Sequence, residues 1–70
     1  SSAASDVYKR QGKVFILGGG VVGEKAAIIA TGMQAKVFIT DKSDRRLEEL
    51  KEKRYLVLKI KQFLKDLLIE

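Results

Sequence analysis

Two short runs of apolar residues stand out along the chain, and each ends abruptly. The first run is Lys13–Leu17 (KVFIL), which glycines follow, and the second is Ala35–Thr40 (AKVFIT), which Asp41 follows. Short runs with apolar residues at successive positions are typical of central strands in a parallel sheet, because such strands are buried on both faces. Both segments are therefore predicted to be strands.

The segment between the two strands has the pattern of a helix. Val21–Thr31 carries apolar residues at helical spacing, and Gly32 stands where a C-terminal cap is expected. The stripe that docks on the sheet is predicted to consist of Val22, Ala26 and Ile29. A strand, a helix and a strand within about 30 residues form a βαβ unit, whose crossover is expected to be right-handed.

A second helix is predicted after the second strand. Ser43 can cap its N-terminus, and Leu47 and Leu50 supply a narrow apolar stripe. We expect this helix to run through Leu50 or a little beyond. If it runs further, Glu49 and Lys53 would form an ion pair at i,i+4 spacing.

The last part of the chain allows two interpretations. In the first, Tyr55–Ile60 is a third strand, and an amphipathic helix follows it. The apolar stripe of that helix would consist of Ile60, Phe63, Leu64, Leu67 and Leu68. In the second, one long helix runs from Asp44 to Ile69, since no glycine or proline interrupts it. We prefer the first, because the long helix would place Arg54 and Lys61 on its apolar stripe.

These elements predict an α/β fold, namely half of a Rossmann-like domain with a parallel sheet. The order is βαβαβ plus a C-terminal helix, and residues 12–70 form it. The opening segment Ser1–Gln11 (SSAASDVYKRQ) shows neither helical nor strand periodicity. We therefore interpret residues 1–11 as a junction, or as a leader derived from cloning or sequencing, and we expect this segment to be disordered.

Composition narrows the classes of function. With 70 residues, the chain is one small domain or a piece of one. It contains no Cys and no His, which excludes disulfides, zinc ribbons, thiol catalysis and the usual general base. We therefore expect no metal site and no catalytic residue in this chain.

The net charge of +5 does not point to nucleic acid as a partner. Residues 1–41 carry five basic and three acidic side chains, and residues 42–70 carry nine and six, so the excess is spread along the chain. No apolar run approaches the roughly 20 residues of a membrane span, and no signal-peptide pattern is present. We expect neither nucleic acid nor a membrane as a partner, and a cytoplasmic location.

The glycines after the first strand fit a dinucleotide-binding motif. Residues 18–23 (GGGVVG) match G-x-G-x-x-G, follow a predicted strand and open a predicted helix. An acidic residue, Asp41, ends the next strand 18 positions after Gly23, where the motif requires one. All three requirements of context are therefore met.

Each glycine of the motif has a mechanical role. Gly18 permits the tight turn off the strand, Gly20 leaves room for a pyrophosphate to approach bare backbone, and Gly23 lets the helix pack closely on the sheet. The phosphates would be held by the amides of Gly20, Val21 and Val22, at the positive end of the helix dipole.

Asp41 would accept hydrogen bonds from the adenosine ribose hydroxyls. A carboxylate there repels a 2′-phosphate, which favours NAD over NADP. Lys42, Arg45 and Arg46 lie close enough in sequence to weaken that preference, although Lys42 and Arg45 are expected to be solvated charges. The alternative is that the glycines serve only a tight turn and that Asp41 is an ordinary loop carboxylate.

Residues 12–50 closely resemble the NAD-binding segment of alanine dehydrogenases and of the related subunit of proton-pumping nicotinamide nucleotide transhydrogenases. The features that carry the resemblance are the triple Gly, the Val-Val-Gly, the paired Ala, the Gly-Met before the second strand and the Asp-x-x-x-Arg-Arg-Leu ending. One departure is Gln34, where the family usually has Gly. If that turn requires a positive φ, Gln costs about 1 kcal/mol there.

The resemblance implies how a nucleotide is held and where the chemistry lies. It assigns the nucleotide to the amides around Gly20 and Val21, to the carboxylate of Asp41 and to the basic side chain of Arg46. The family's catalytic Lys, His and later Asp have no counterparts here. We therefore interpret residues 12–70 as a partial NAD-binding Rossmann domain of an NAD-dependent amino-acid dehydrogenase. The complete enzyme would act on a small amino or keto acid, and we expect it to be a homo-oligomer.

Two other functions stay open. Nucleotide-sensing domains of potassium-uptake systems also present a strand, a Gly loop, a helix, a strand and an Asp, and would make the chain a non-enzymatic regulator. They usually show a single Gly-x-Gly turn without the Met-containing approach to the second strand, so we rank them second. In the third interpretation, residues 51–70 form a basic or amphipathic interaction module, although such a stripe is more often core.

Overall fold

The structure, a computed structural model, describes residues 6–18, 20–53 and 55–69. In chain order the elements are β1 (Asp6–Arg10), β2 (Lys13–Leu17), α1 (Gly20–Gly32), β3 (Lys36–Thr40), α2 (Asp44–Lys51), β4 (Leu56–Val57) and α3 (Ile60–Ile69). The strands form one sheet in the order β1-β2-β3-β4, in which β2, β3 and β4 are parallel and β1 is antiparallel to β2. The predicted half of a Rossmann-like α/β fold is confirmed.

The two faces of the sheet bury different side chains because successive residues of a strand point to opposite faces. On one face, aliphatic strand residues meet the alanines of α1 and a leucine of α2; this cluster contains Val14, Ile16, Ala27, Ala30, Val37, Ile39 and Leu50. On the other face, α3 covers the phenylalanines of the strands. There the ring of Phe15 stacks on Phe38 with centroids 4.7 Å apart, and it meets the edge of Phe63 at 5.6 Å.

The stripe of α1 that contacts the sheet differs from the predicted one. The buried residues are Gly23, Ala27 and Ala30, whereas Val22 and Ile29 are 57% and 64% exposed. A helix that lies close to a sheet needs its smallest residues at the contact. The prediction was wrong for Val22 and Ile29, larger apolar residues that this helix turns outward, whereas Ala26 is partly buried against the core as predicted.

The helix after β3 begins as predicted. The side chain of Ser43 accepts a hydrogen bond of 3.2 Å from the amide of Arg46, which satisfies one free donor of the first turn. Leu47 and Leu50 are both buried, so the narrow apolar stripe is also confirmed.

The last part of the chain forms a strand and a separate helix, so the single long helix is excluded. The strand β4 covers only Leu56–Val57, and α3 already begins at Ile60, so the strand is shorter than the predicted Tyr55–Ile60. Within α3 only Phe63 and Leu67 are buried, while the other three residues of the predicted stripe are exposed by 40% or more. The stripe is narrower than predicted because the helix contacts the sheet along one line. Arg54, which counted against the long helix, lies outside the described residues.

The opening segment contains a strand, so the expectation that it lacks regular structure is wrong for Asp6–Arg10. All five residues of β1 pair with β2, and Gln11 and Gly12 form a two-residue turn with φ of 47° and 82°. Two central residues with positive φ are typical of the hairpin turn that matches the twist of the strands. Every residue of β1 is exposed, and its sequence, DVYKR, lacks the alternation of apolar and polar residues from which a strand can be predicted. Residues 1–5 of the expected leader lie outside the described residues.

The turn between α1 and β3 does hold a non-glycine residue in the left-handed region, since φ of Gln34 is 67°. We predict that Gln34→Gly raises the free energy of unfolding by about 1 kcal/mol, because glycine adopts this conformation without steric cost. Chemical denaturation of the chain and its variant measures the difference. Gln62→Gly within α3 is the control and should lower the stability by about 1 kcal/mol. An unchanged or lower stability of Gln34→Gly would contradict the strain assigned to this turn.

Candidate functional site

The carboxyl ends of β2 and β3 lie side by side. Leu17 is opposite Thr40 in the parallel register, and the amide of Gly18 donates a 2.8 Å hydrogen bond to the carbonyl oxygen of Thr40. Thr40 is fully buried, so this end of β3 is held in the core. The bond therefore fixes the two points at which the chain leaves the sheet, one toward α1 and the other toward Asp41. In open α/β sheets, ligands bind in the crevice outside such strand ends.

The glycine loop exposes bare backbone at this edge. Gly18 and Gly20 have φ of 68° and 53°, in the region that favours glycine. A Cβ added to Gly20 would meet no atom within 4 Å, whereas one added to Gly18 would lie 3.9 Å from Oδ2 of Asp41. The space beside Gly20 is thus open to a ligand. Gly19, the middle residue of the motif, lies outside the described residues.

The first turn of α1 suits an anion. The first four amides of an α-helix have no acceptor within the helix, and they carry the positive end of its dipole. Gly20, Val21 and Val22 provide three of these amides, and all three residues are exposed. No acidic residue lies in this turn. Gly23, further along α1, is buried.

The carboxylate of Asp41 is oriented by its own loop. Its Oδ1 accepts a 2.9 Å hydrogen bond from the amide of Ser43, while Oδ2 lies on the side of Gly18. The residue is only partly buried, so the carboxylate stays accessible at the edge of the crevice. A carboxylate at the end of the second parallel strand is placed to accept hydrogen bonds from ribose hydroxyls.

Arg46 connects α2 with the start of α1. Its Nη2 donates to Oε1 of Glu24 at 3.0 Å and to the carbonyl oxygen of Gly20 at 3.3 Å. Its Nη1 donates to Oε1 of Glu49 at 3.1 Å. The guanidinium is therefore held at the glycine loop by three acceptors, and its side chain is 24% exposed. Lys42 and Arg45, by contrast, are exposed residues.

Glu24 has a second cationic partner, which sequence reasoning did not find. Nζ of Lys53 lies 2.9 Å from its Oε2, so Glu24, Arg46, Glu49 and Lys53 form a charge cluster, called the Glu24 cluster below. The pair of Glu49 with Lys53, expected only if the helix ran further, does not form because α2 ends at Lys51, and each side chain has another partner in the cluster. No local spacing indicates the contacts of Glu24, since Glu24 and Arg46 are 22 positions apart.

Contacts within the Glu24 cluster shift the pKa values of Glu24, Arg46 and Lys53. Hydrogen bonds from Lys53 and then Arg46 hold the pKa of Glu24 below its usual value. The hydrogen bond to Glu49 is the main cause that raises the pKa of Arg46, and the bond to Glu24 raises that of Lys53. The fold thus favours the charged forms of Glu24, Arg46 and Lys53.

The residues predicted to bind a nucleotide lie at one edge of the sheet, apart from Gly23, which is buried within α1. A separate apolar groove of about 460 Å³ lies between β1 and α1, beside residues at the opposite end of β2, and Val7, Ile29 and Met33 contribute to its wall. Over the described ranges, no group of three or more His, Cys, Asp or Glu side chains could hold a metal ion. Within the same ranges, no helix combines the length and the apolar character needed to span a membrane.

Comparison with known proteins shows the family of the chain. A family model described as the alanine dehydrogenase/PNT C-terminal domain matches residues 2–67. The chain belongs to this family. The match extends beyond Leu50 and includes β4 and most of α3. No solved structure gave a significant match to the chain.

Two alanine dehydrogenases illustrate how much of a complete protein the chain represents. The one from Staphylococcus epidermidis is 52% identical over 42 residues, which are 60% of this chain and 11% of that protein. The one from Halomonas elongata is 51% identical over 41 residues, which are 59% of this chain and 11% of that protein. The aligned segment is thus a small part of each relative. The resemblance to the dehydrogenase family is confirmed, and this chain corresponds to a fragment of such a protein.

The Glu24 cluster should make stability depend on pH in the acid range. Because the folded pKa of Glu24 is lowered, its contribution is complete above its unfolded pKa and disappears as the pH falls through the folded value. We predict that Glu24→Gln is less stable than the unchanged chain at pH 7, and that the difference shrinks from about pH 4.5 downwards. Urea denaturation of both proteins from pH 7 to pH 3 measures it. A difference that stays constant over this range would contradict the role of the ionised carboxylate.

Proposed function

We propose that this segment of the alanine dehydrogenase/PNT family binds NAD by the adenosine diphosphate half. The observation that carries the proposal is the open, exposed start of α1 next to the carboxylate of Asp41, at the ends of two adjacent parallel strands. This is the place at which an open α/β sheet binds dinucleotides. The names of the relatives, which are alanine dehydrogenases, support the same assignment.

The pyrophosphate would lie against the first turn of α1. The amides of Gly20, Val21 and Val22 would donate hydrogen bonds to its oxygens, and the dipole of the 13-residue helix would favour its charge. The empty space that a Cβ at Gly20 would enter fits a phosphate group, which must approach the backbone closely. Gly18 would support this arrangement by permitting the sharp turn from β2 into the loop.

The adenosine ribose would lie beside Asp41, whose carboxylate would accept hydrogen bonds from the 2′- and 3′-hydroxyls. The amide of Ser43 already orients one carboxylate oxygen, so little ordering is needed when a ligand binds. A 2′-phosphate at this place would meet the negative charge of Asp41. NAD is therefore the favoured cofactor, and Arg46 would lie at the same edge, beside Gly20.

In the whole protein we propose an NAD-dependent amino-acid dehydrogenase, whose substrate is a small amino or keto acid. The nicotinamide supplies the hydride chemistry when NAD is bound, and the residues of this chain place the cofactor. The side chains that act on the substrate would come from other parts of the protein, so this chain alone is expected to show no turnover. We further propose a cytoplasmic homo-oligomer without nucleic-acid or membrane partners. Membership of a dehydrogenase family favours this function over a potassium-uptake regulator.

Calorimetric titration of the chain with NAD and NADP tests the proposal. We predict weak binding of NAD and weaker binding of NADP, because only the latter places a phosphate near Asp41. Gly20→Val should lower the affinity for NAD about tenfold or more, since its side chain would occupy the place of the pyrophosphate.

Gly12→Val is the matched control for this titration. Gly12 also has a positive φ and open space around its Cα, but it lies at the other end of β2, so its substitution adds similar backbone strain without touching the site. Binding should survive in this variant. Equal affinities for NAD and NADP would contradict the role of Asp41 in selecting NAD. Unchanged binding of NAD by Gly20→Val would contradict the placement of the phosphates at the start of α1.

A further inference from the structure

Arg46 follows Asp41 by five positions, and the structure engages its guanidinium with Glu24, Glu49 and the carbonyl oxygen of Gly20. An arginine close to the acidic residue of the second strand is what accommodates the additional phosphate of NADP in Rossmann domains. The backbone of Arg46, although not its guanidinium, is linked to Asp41 through Ser43: the amide of Ser43 donates to Asp41, and the hydroxyl of Ser43 accepts from the amide of Arg46. A cation at this position would by itself weaken the preference for NAD.

We propose that Glu24 and Glu49 are specificity residues that withhold the charge of Arg46 from the 2′-phosphate of NADP. The two carboxylates bind the guanidinium at 3.0 and 3.1 Å from two different nitrogens. Discrimination against NADP would then have two parts, the negative charge of Asp41 and the neutralisation of its cationic neighbour. This inference rests on the proposed binding of NAD.

The geometry favours a role in specificity in addition to one in packing. The bond to Glu24 turns the guanidinium toward the start of α1, where Nη2 also reaches the carbonyl oxygen of Gly20. Glu49, which lies on the same helix as Arg46, accepts a hydrogen bond from the other terminal nitrogen, Nη1. Both terminal nitrogens, which would form a two-pronged contact with a phosphate, are therefore already donating to oxygen atoms.

Exposure separates the two carboxylates in what they contribute to folding. The side chain of Glu49 is 56% exposed, and an exposed ion pair adds little to stability. Glu24 is only 19% exposed and also holds Lys53, so it links α1 to α2 and to the turn that follows α2. Removing Glu49 should therefore affect the charge near the ribose more than the fold, which makes it the cleaner single variant.

The test compares cofactor selectivity, expressed as the Kd for NADP divided by the Kd for NAD. In Glu24→Gln combined with Glu49→Gln, this ratio should fall about tenfold, because a freed guanidinium can bind a phosphate bidentately. The same change should appear with the simpler probes adenosine 2′,5′-bisphosphate and 5′-AMP. Higher salt should reduce the effect, as expected for a charge contact at a partly exposed site.

Two controls separate the contact from the overall charge. Glu48→Gln combined with Glu52→Gln changes the net charge by the same amount near the end of α2, and neither residue contacts Arg46 in the described part of the chain. This variant should keep the original ratio within about twofold. Adding Arg46→Gln to the Glu24 and Glu49 substitutions should abolish the gain, because the proposed phosphate ligand is then absent.

Each outcome decides the proposal. An unchanged ratio in the double variant, or an equal change in the Glu48 and Glu52 control, would overturn the inference while NAD binding stands. A gain that persists without Arg46 would overturn it as well. If circular dichroism shows that the double variant does not fold, Glu49→Gln measured against Glu48→Gln decides, and a lower ratio is expected in the former alone. Failure of the unchanged chain to bind NAD would contradict the proposed function itself, and this inference with it.

Discussion

The placement of the candidate site depends on one contact, the parallel pairing of β2 with β3 that the hydrogen bond from Gly18 to Thr40 closes. Parallel strands end at the same edge of a sheet, so this register brings a glycine loop and an acidic residue together although Gly18 and Asp41 are 23 positions apart. Because Thr40 at the end of β3 is buried, the position of Asp41 directly after the strand is fixed. A shift of the register by one residue would move the apolar side chains of a strand to the wrong face.

Two sets of groups determine the electrostatics at this edge, the amides at the start of α1 and the paired charges around Glu24. The start of α1 offers amides and no acidic side chain, which suits a phosphate. One turn further, Glu24 would oppose that preference if it were isolated. Its pairing with Arg46 and Lys53 neutralises it and also ties α1 to α2. The same contacts therefore stabilise the arrangement of the helices and set the charge that a ligand meets.

Some of this could be predicted from the sequence, because short-range periodicity indicates strands and helices directly. The runs KVFIL and KVFIT and the Ser43 cap are local signals, and they correspond to β2, β3 and the start of α2. The predicted contact face of α1 was wrong at Val22 and Ile29, because close packing of a helix on a sheet selects glycine and alanine, which are less hydrophobic than valine and isoleucine. Strand β1 was missed because its sequence, DVYKR, has no alternation of apolar and polar residues, as expected for a strand whose residues are all exposed. Within the Glu24 cluster the contacts of Glu24 join residues distant in sequence, so no spacing rule could indicate them, whereas the pair of Arg46 with Glu49 has the local i,i+3 spacing.

The central claim is that phosphates bind at the start of α1, and amide chemical shifts of the isotopically labelled chain test it most directly. On titration with ADP-ribose, the amides of Gly20, Val21, Val22 and Ser43 should shift and saturate together, since they lie beside the expected pyrophosphate and ribose. Residues that line the apolar groove between β1 and α1, such as Val7 and Met33, should stay unchanged. Saturable shifts confined to that groove, or no saturable shifts at the glycine loop, would contradict the account.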